Sequence, residues 1–264
     1  MKKYWQIAKI TFSETTAYRL NFVMWRVRVV LQLLTIYFLW QAILPRGAKI
    51  LNYDHSQILT YILGTSLIWS FVMASRSQSI ADEINSGSLS NFLIKPINYF
   101  SYHFFRDIGD KAMNILFTAV ELTLIYFILK PPIFIQTDPT YLALALISIF
   151  AALCLHFFIN FILGTIGFIS PEIWAPRFIF FIVIGFFAGS YFPLDILPAN
   201  IFAIFKFLPF TYLLYFPLKV YLGQLPIEET IVGIFTTFIW TAVFALIANL
   251  AWRKGLKLYT SWGK

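Results

Sequence analysis

The sequence has little charge. Asp, Glu, Lys and Arg make up 12% of its 264 residues, where soluble domains carry about a quarter. With 59% hydrophobic and 20% aromatic residues, that shortage excludes an ordinary water-soluble globule. Cysteine occurs once, at Cys154, which excludes an intrachain disulfide and leaves the redox compartment unreadable. Histidine is present three times, and no other His, Cys or carboxylate accompanies His156 and Asn160 at metal-ligand spacing, so no metal site is expected there. A G-x-x-x-x-G-K-[ST] phosphate loop is missing; the only Gly-Lys pair is the terminal Gly263-Lys264. The two halves show no mutual similarity, which removes support for an inverted-repeat secondary transporter. Met1-Lys2-Lys3 opens like a signal peptide, but Lys9, Glu14 and Arg19 interrupt any apolar region, so no cleavable signal is expected.

What is present is a succession of apolar runs long enough to cross a bilayer. A hydrocarbon core of about 30 Å needs roughly 20 residues at about 1.5 Å rise each. Six spans are expected, at 21–44, 56–75, 112–130, 141–169, 178–192 and 230–252. The whole chain, 1–264, reads as one all-α integral membrane domain. Residues 1–20 read as an interfacial helix: Tyr4, Ile7, Ala8 and Phe12 can share one face, and Lys2, Lys3 and Lys9 can reach lipid phosphates. Arg26 and Arg28 sit low enough in the first span to snorkel toward its starting side. The segment Ile201–Leu222 is long enough to cross, but Lys206, Pro209, Pro217 and Lys219 divide it. An interior proline costs about 3 kcal/mol and a central lysine about 2.5–3.5, so 193–228 is expected to re-enter on the outer side.

Charge sets the expected orientation. With six spans and both termini inside, segments 1–28, 76–111, Arg177 and 253–264 carry six, four, one and four basic residues, fifteen of the twenty. The formal charge of +8 is thereby absorbed into membrane flanks, and no basic stripe is left for nucleic acid. The protein is expected in the inner or plasma membrane, multi-pass, against lipid, with N- and C-termini cytoplasmic.

The connector 76–111 is more patterned than a simple loop. Ile80 and Ile84 are one turn apart, Asp82 and Glu83 take the polar side, Gly87 can end the helix left-handed, and Leu89 and Leu93-Ile-Lys-Pro96 follow. The pattern Glu83…Gly87…Leu93-Ile94-Lys95-Pro96 resembles the intracellular loop of ABC type-2 (ABC-2) exporter permeases. The outer segment Gly189-Ser-Tyr-Phe-Pro193-Leu-Asp-Ile-Leu-Pro198, then Leu208-Pro-Phe210 and Pro217…Gly223, is similar to that family's re-entrant turns. The tail Gly255-Leu-Lys-Leu-Tyr259-Thr-Ser-Trp-Gly263 resembles the ending of a subgroup tied to export of drugs and viologen-like cations, and with Tyr18-Arg19 before the first span the resemblance covers nearly the whole chain.

That resemblance implies an interfacial N-terminal helix, six spans, and a dimer formed with a second copy or a paralogous permease. It also implies a separate cytosolic ABC ATPase that holds the ATP and Mg and docks on the first intracellular loop. This chain itself would hold no cofactor and have no catalytic residue. The coupling residues would be Ile80, Asp82, Glu83, Ile84, Gly87 and Leu89, their apolar ridge filling a groove on the ATPase.

Three features inside the spans are weighed both ways. Glu121 is the only acid of the third span; it is a counter-charge for a cationic substrate, or a protonated acid bonded to Thr123, Asn114 or a neighbouring helix. His156 and Asn160, one turn apart, line a substrate pathway or, the favoured reading, bond between helices. Gly185-Phe-Phe-Ala-Gly189 is a G-x-x-x-G that allows close approach of a second subunit or of a span of the same chain. The aromatic residues could line a route for flat organic cations, or simply face lipid. The competing class is an intramembrane enzyme or assembly factor. Glu228-Glu229 lacks the arginine that a CAAX-type protease places four residues on, and no Gly-x-Ser-Gly marks a rhomboid-type site. Export of lipid or lipid-linked polysaccharide is the other alternative to drugs and cations.

Overall fold

The computed structural model describes residues 2–17, 19–44, 49–75 and 77–259; Tyr18, Arg76 and the tail from Thr260 to Gly263, used in the sequence argument, lie outside them. Apart from a two-residue hairpin, β1 (Lys49–Ile50) with β2 (Tyr53–Asp54), the regular structure is helical: α1 (Lys2–Ala17), α2 (Arg19–Ile43), α3 (His55–Ile68), α4 (Ser77–Asn85), α5 (Ser90–Leu93), α6 (Tyr99–Leu129), α7 (Pro139–Thr165), α8 (Trp174–Phe187), α9 (Ala199–Lys206), α10 (Tyr215–Tyr221) and α11 (Ile227–Leu258). Among the described residues five helical stretches are long and apolar enough to cross a bilayer, six if the bent pair Ala199–Lys206 and Pro209–Tyr221 counts as one span. The protein is an all-α integral membrane protein.

Local chemistry explains most of the boundaries. Asp54 and Gln57 form a reciprocal capping box that starts α3. Asn98 caps α6 by accepting from the Ser101 N–H at 2.9 Å. Asp138 caps α7 by accepting from the Thr140 N–H at 2.7 Å, with Pro139 at the first position, where no N–H is needed. Lys130 stops α6 in a left-handed turn before Pro131-Pro132.

Three boundaries differ from expectation. The third spanning helix begins at Tyr99, not Ala112. Its added turns carry charge, but Lys111 pairs with Asp107 and Arg106 with Glu83, so the helix continues without an uncompensated ion. The fifth apolar helix is only 14 residues, Trp174–Phe187, about 21 Å at 1.5 Å per residue, and it stops five residues before Phe192. Pro217 does not break its segment either. It stands in the first turn of α10, where its missing N–H costs nothing. The break lies between α9 and the stretch Pro209–Tyr221, which bend by 80°.

α3 is the buried axis. Ile58, Leu59, Tyr61 and Ile62 on it are completely enclosed. Around it pack residues of α2, α6, α7, α8, α9 and α10. The outer faces of α6 and α11 present Leu116, Val120, Phe127, Phe235, Ile239 and Leu246. Lipid is as apolar as these side chains, so the bundle is held by close packing and interhelical hydrogen bonds more than by the hydrophobic effect.

The two ends differ. At one, α1 lies on the start of α6: Tyr4 stacks on Phe105 at 5.6 Å, its hydroxyl accepts from the Asn98 N–H at 3.0 Å, and the Lys3 ammonium donates to the Pro96 carbonyl at 2.9 Å. Ala8 and Thr11 are buried there, whereas Trp5 and Ile10 are exposed. α11 also finishes at this end, where Tyr259 meets the α4–α5 connection. At the far end the bent segment around α9 and α10 is tied to α3 and its hairpin. Lys219 donates to Asp195 at 2.6 Å, Tyr53 donates to the same carboxylate at 2.9 Å, and the Tyr61 hydroxyl donates to the Gly189 carbonyl at 2.7 Å.

Candidate functional site

The loop at the terminal end is built inward. Ile80, Ile84 and Leu89 are buried with Tyr99, Phe161, Phe168 and Trp252 of α6, α7, the turn after α7, and α11. The apolar ridge expected to fill an ATPase groove is therefore consumed by the chain itself. An amphipathic helix buries its stripe on the nearest apolar surface, and here three helix ends supply one. Glu83 is committed in the same way. Its carboxylate accepts from Tyr99 at 2.6 Å and Arg106 at 2.9 Å and lies 3.1 Å from His103 Nε2. Gly87 ends α4 at φ 75°, the left-handed conformation expected of it. The Gly87 carbonyl accepts from the Tyr259 hydroxyl at 2.7 Å, and that hydroxyl in turn accepts from the Ser90 N–H at 3.2 Å. Asn85 donates to the Pro171 carbonyl at 2.8 Å, and Arg177 donates to Gln78 at 2.9 Å. What faces outward is a different set: Asp82, Ser86, Asn91, Leu93, Ile94 and Lys95, with Ile94 83% exposed.

Between the ends lies a cleft of two limbs that meet at Trp25, Arg28, Trp69 and Phe181. The wider limb, roughly 540 Å³, reaches toward the terminal end and includes His156, Asn160, Trp174 and Arg177. The narrower one, about 70 Å³, runs along Gln32, Ser66, Thr118 and Ser190. The wall is shaped at Trp69–Met73, where α3 widens into a π-helical turn, and Lys111 closes that turn by donating to the Ala74 carbonyl.

Glu121 does not line the cleft as a free carboxylate. Arg26 from α2 turns inward rather than snorkelling and binds both Glu121 oxygens, the Nε bond at 2.7 Å, while also donating to Thr118 at 2.8 Å. Of the alternatives for Glu121, the structure shows the bond to a neighbouring helix, made by Arg26 of α2, and no bond to Thr123 or Asn114. Two opposite charges in apolar helices neutralise each other first.

His156 and Asn160 do share the cleft wall, and they meet each other, with the Asn160 amide 2.6 Å from His156 Nε2. The His156 ring also interacts with the Val72 backbone across the helix interface.

Gly185 and Gly189 do not form one helix face. α8 stops at Phe187, and Gly189 sits beyond it at φ 79°. The Ser190 N–H returns to the Gly185 carbonyl at 3.0 Å and the Gly189 N–H to Phe186 at 3.1 Å, a Schellman ending. The space over Gly185 and Gly189 belongs to Tyr191 and to Tyr61 and Leu194 of the same chain.

Sequence reasoning brought out the loop but missed what holds it. Tyr99, His103, Arg106 and Tyr259 come from distant positions, and nothing in local spacing links them to Glu83 or Gly87. The Arg26–Glu121 pair had a signal: a lone acid in one apolar run and basic residues in another. Among the described residues there is no group of three or more His, Cys, Asp or Glu side chains that could hold a metal.

Among proteins of curated function, none matches the sequence. The family model described as ABC-2 family transporter protein matches residues 30–263, which takes in the loop, the bent segment Ala199–Tyr221 and the cleft apart from its α2 wall at Trp25, Arg26, Arg28 and Val29. With five or six helical stretches among the described residues long and apolar enough to cross a membrane, the chain belongs to the ABC-2 transporter family and is a multi-pass membrane permease of an ABC transporter.

Proposed function

We propose that the chain is the permease subunit of an ATP-driven exporter, with a separate cytosolic ATPase holding ATP and Mg, and with a second permease chain completing the pathway. The terminal end then faces the cytosol, consistent with the distribution of basic residues. The observation that carries the reading is the bracing of the loop. Its hydrogen bonds reach α1, α6, the α7–α8 connection, α8 and the end of α11. A force applied to the loop is transmitted to several spans together, because packed elements move as units.

In this reading the ATPase contacts the outward set. Leu93 and Ile94 supply the apolar contact, with Asp82 and Lys95 beside them for selectivity. Ile80, Ile84, Glu83, Gly87 and Leu89 act behind that surface, setting its shape. The test is co-purification of the ATPase with the tagged full chain in mild detergent. Ile94→Asp should lose most of the ATPase while the permease stays monodisperse. Undiminished recovery, with a stable permease, removes Ile94 from the docking surface. Failure of the wild-type chain to retain any ATPase refutes the reading.

A further inference from the structure

The cleft has a definite chemical character. Two guanidinium groups belong to its wider limb, Arg28 from α2 and Arg177 from α8, the ion-paired Arg26 borders the narrower one, and among the described residues no carboxylate lines either limb. Arg28 has no ion pair among the described residues, and its guanidinium lies 5.9 Å from the Phe181 ring. Arg177 is held by Gln78, and Asp82 acts on it from the loop without lining the cleft. The nearby Glu172 carboxylate is turned back onto the Trp174 N–H at 2.6 Å, and Glu121 is committed to Arg26. Beyond the junction the narrower limb is walled mainly by Trp25, Val29, Leu33, Ile36, Trp69 and Phe181. It holds one further signal. The Ser190 hydroxyl, on a residue only 8% exposed, lines this limb without a hydrogen-bond partner, and so does the Ser66 hydroxyl. Buried hydroxyls are normally satisfied, so these two are groups that a water or a polar guest atom entering the limb would satisfy.

We propose that this cleft binds an amphiphile with an anionic head, phosphate or carboxylate, resting on the exporter reading and naming the class of molecule moved. Arg28 and Arg177 take the head, since guanidinium forks match planar and tetrahedral oxyanions and are weakly hydrated. The apolar chain lies along Trp69 and Phe181 into the narrower limb. An organic cation would meet two guanidinium groups there and no carboxylate, which reverses the substrate charge implied by the family subgroup. Simple snorkelling to membrane phosphates accounts for one exposed arginine. It does not account for two arginines from different helices lining a single cleft beside orphaned hydroxyls.

The test is direct binding of labelled dodecyl phosphate and dodecyltrimethylammonium to the full chain in phosphatidylcholine nanodiscs, without ATPase. The wild-type protein should bind the phosphate at least tenfold more tightly than the ammonium. Arg28→Gln with Arg177→Gln should abolish that preference. Equal or tighter binding of the ammonium overturns the proposal, and so does a preference that survives the double substitution. Should the double variant not stay monodisperse, the wild-type protein decides alone: higher salt must weaken the phosphate and spare the ammonium, and an equal response overturns the assignment. Repeating the titration in discs containing phosphatidylglycerol separates two sources of the same chemistry. Competition identifies a phospholipid head, and undiminished binding a single-chain amphiphile. A negative result removes the head-group assignment only. The exporter reading stands or falls by its own co-purification test.

Discussion

Replacing Glu121 by glutamine tests whether its charge serves the fold or the substrate. Arg26 is 5% exposed and Glu121 16%, so the pair is largely shielded from water. Removing one partner of such a pair leaves the other as an uncompensated buried charge, which costs about 3–5 kcal/mol. Insertion scales price an arginine at the centre of an apolar helix at about 2.5–3.5 kcal/mol. Glutamine still accepts one bond from Arg26, which favours the lower end, roughly 3 kcal/mol. For a chain of this size that corresponds to a fall on the order of 10 °C in the midpoint of thermal unfolding. The assay is the fraction of detergent-solubilised protein that stays monodisperse after heating, compared for wild type, Glu121→Gln and Arg26→Gln with Glu121→Gln. The double variant should recover most of the loss, because no charge is left unpaired. If Glu121→Gln is as stable as wild type, and export of a cation falls while a neutral substrate is spared, the ion pair is not what the carboxylate is for.

Gly255→Leu should destabilise the terminal end by about 1–3 kcal/mol, since even a Cβ there would stand 2.1 Å from the Phe168 ring; Phe168→Ala in the same chain should relieve it, and two additive losses would refute the steric account. Single cysteines at Asn200 and Gly223, in a background without Cys154, should both react with an impermeant thiol reagent added outside; labelling from opposite sides would mean that the bent segment crosses the membrane.

The sequence reveals the spans because a bilayer imposes one length and one chemistry on them, and an unbroken run of roughly 20 apolar residues suits hydrocarbon far better than water. It also reveals Gly87 as a helix end, because a left-handed residue is a local requirement. It is much poorer at boundaries where charge is cancelled at a distance. Arg106, Asp107 and Lys111 look like solvent-side residues until Glu83 and the Ala74 carbonyl are brought to them by tertiary packing. The same limit applies to the site. Polarity picked out Glu121, His156 and Asn160, but polarity alone does not say whether a group meets another protein group or an open space. Glu121 meets Arg26; His156 and Asn160 line the cleft. Arg28 and Arg177, hidden among flank charges of the expected kind, face that cleft as well. The G-x-x-x-G failed for a local reason: its second glycine serves to end the helix.

The way Glu83, Gly87 and Asn85 are fastened determines how portable the loop is. A stretch whose hydrogen-bond partners are Tyr99, His103, Arg106, Pro171 and Tyr259 is not a cassette, and moving residues 77–98 alone into a related permease would strand a carboxylate and a helix end. Under the exporter reading, divergence in the choice of ATPase would be concentrated at the outward positions Asp82, Ser86, Asn91, Leu93, Ile94 and Lys95, of which Asp82 and Ser86 also bond within the loop. Under the same reading, an engineer wishing to pair this permease with a foreign motor would rewrite those six side chains and leave the braced joint beneath them alone.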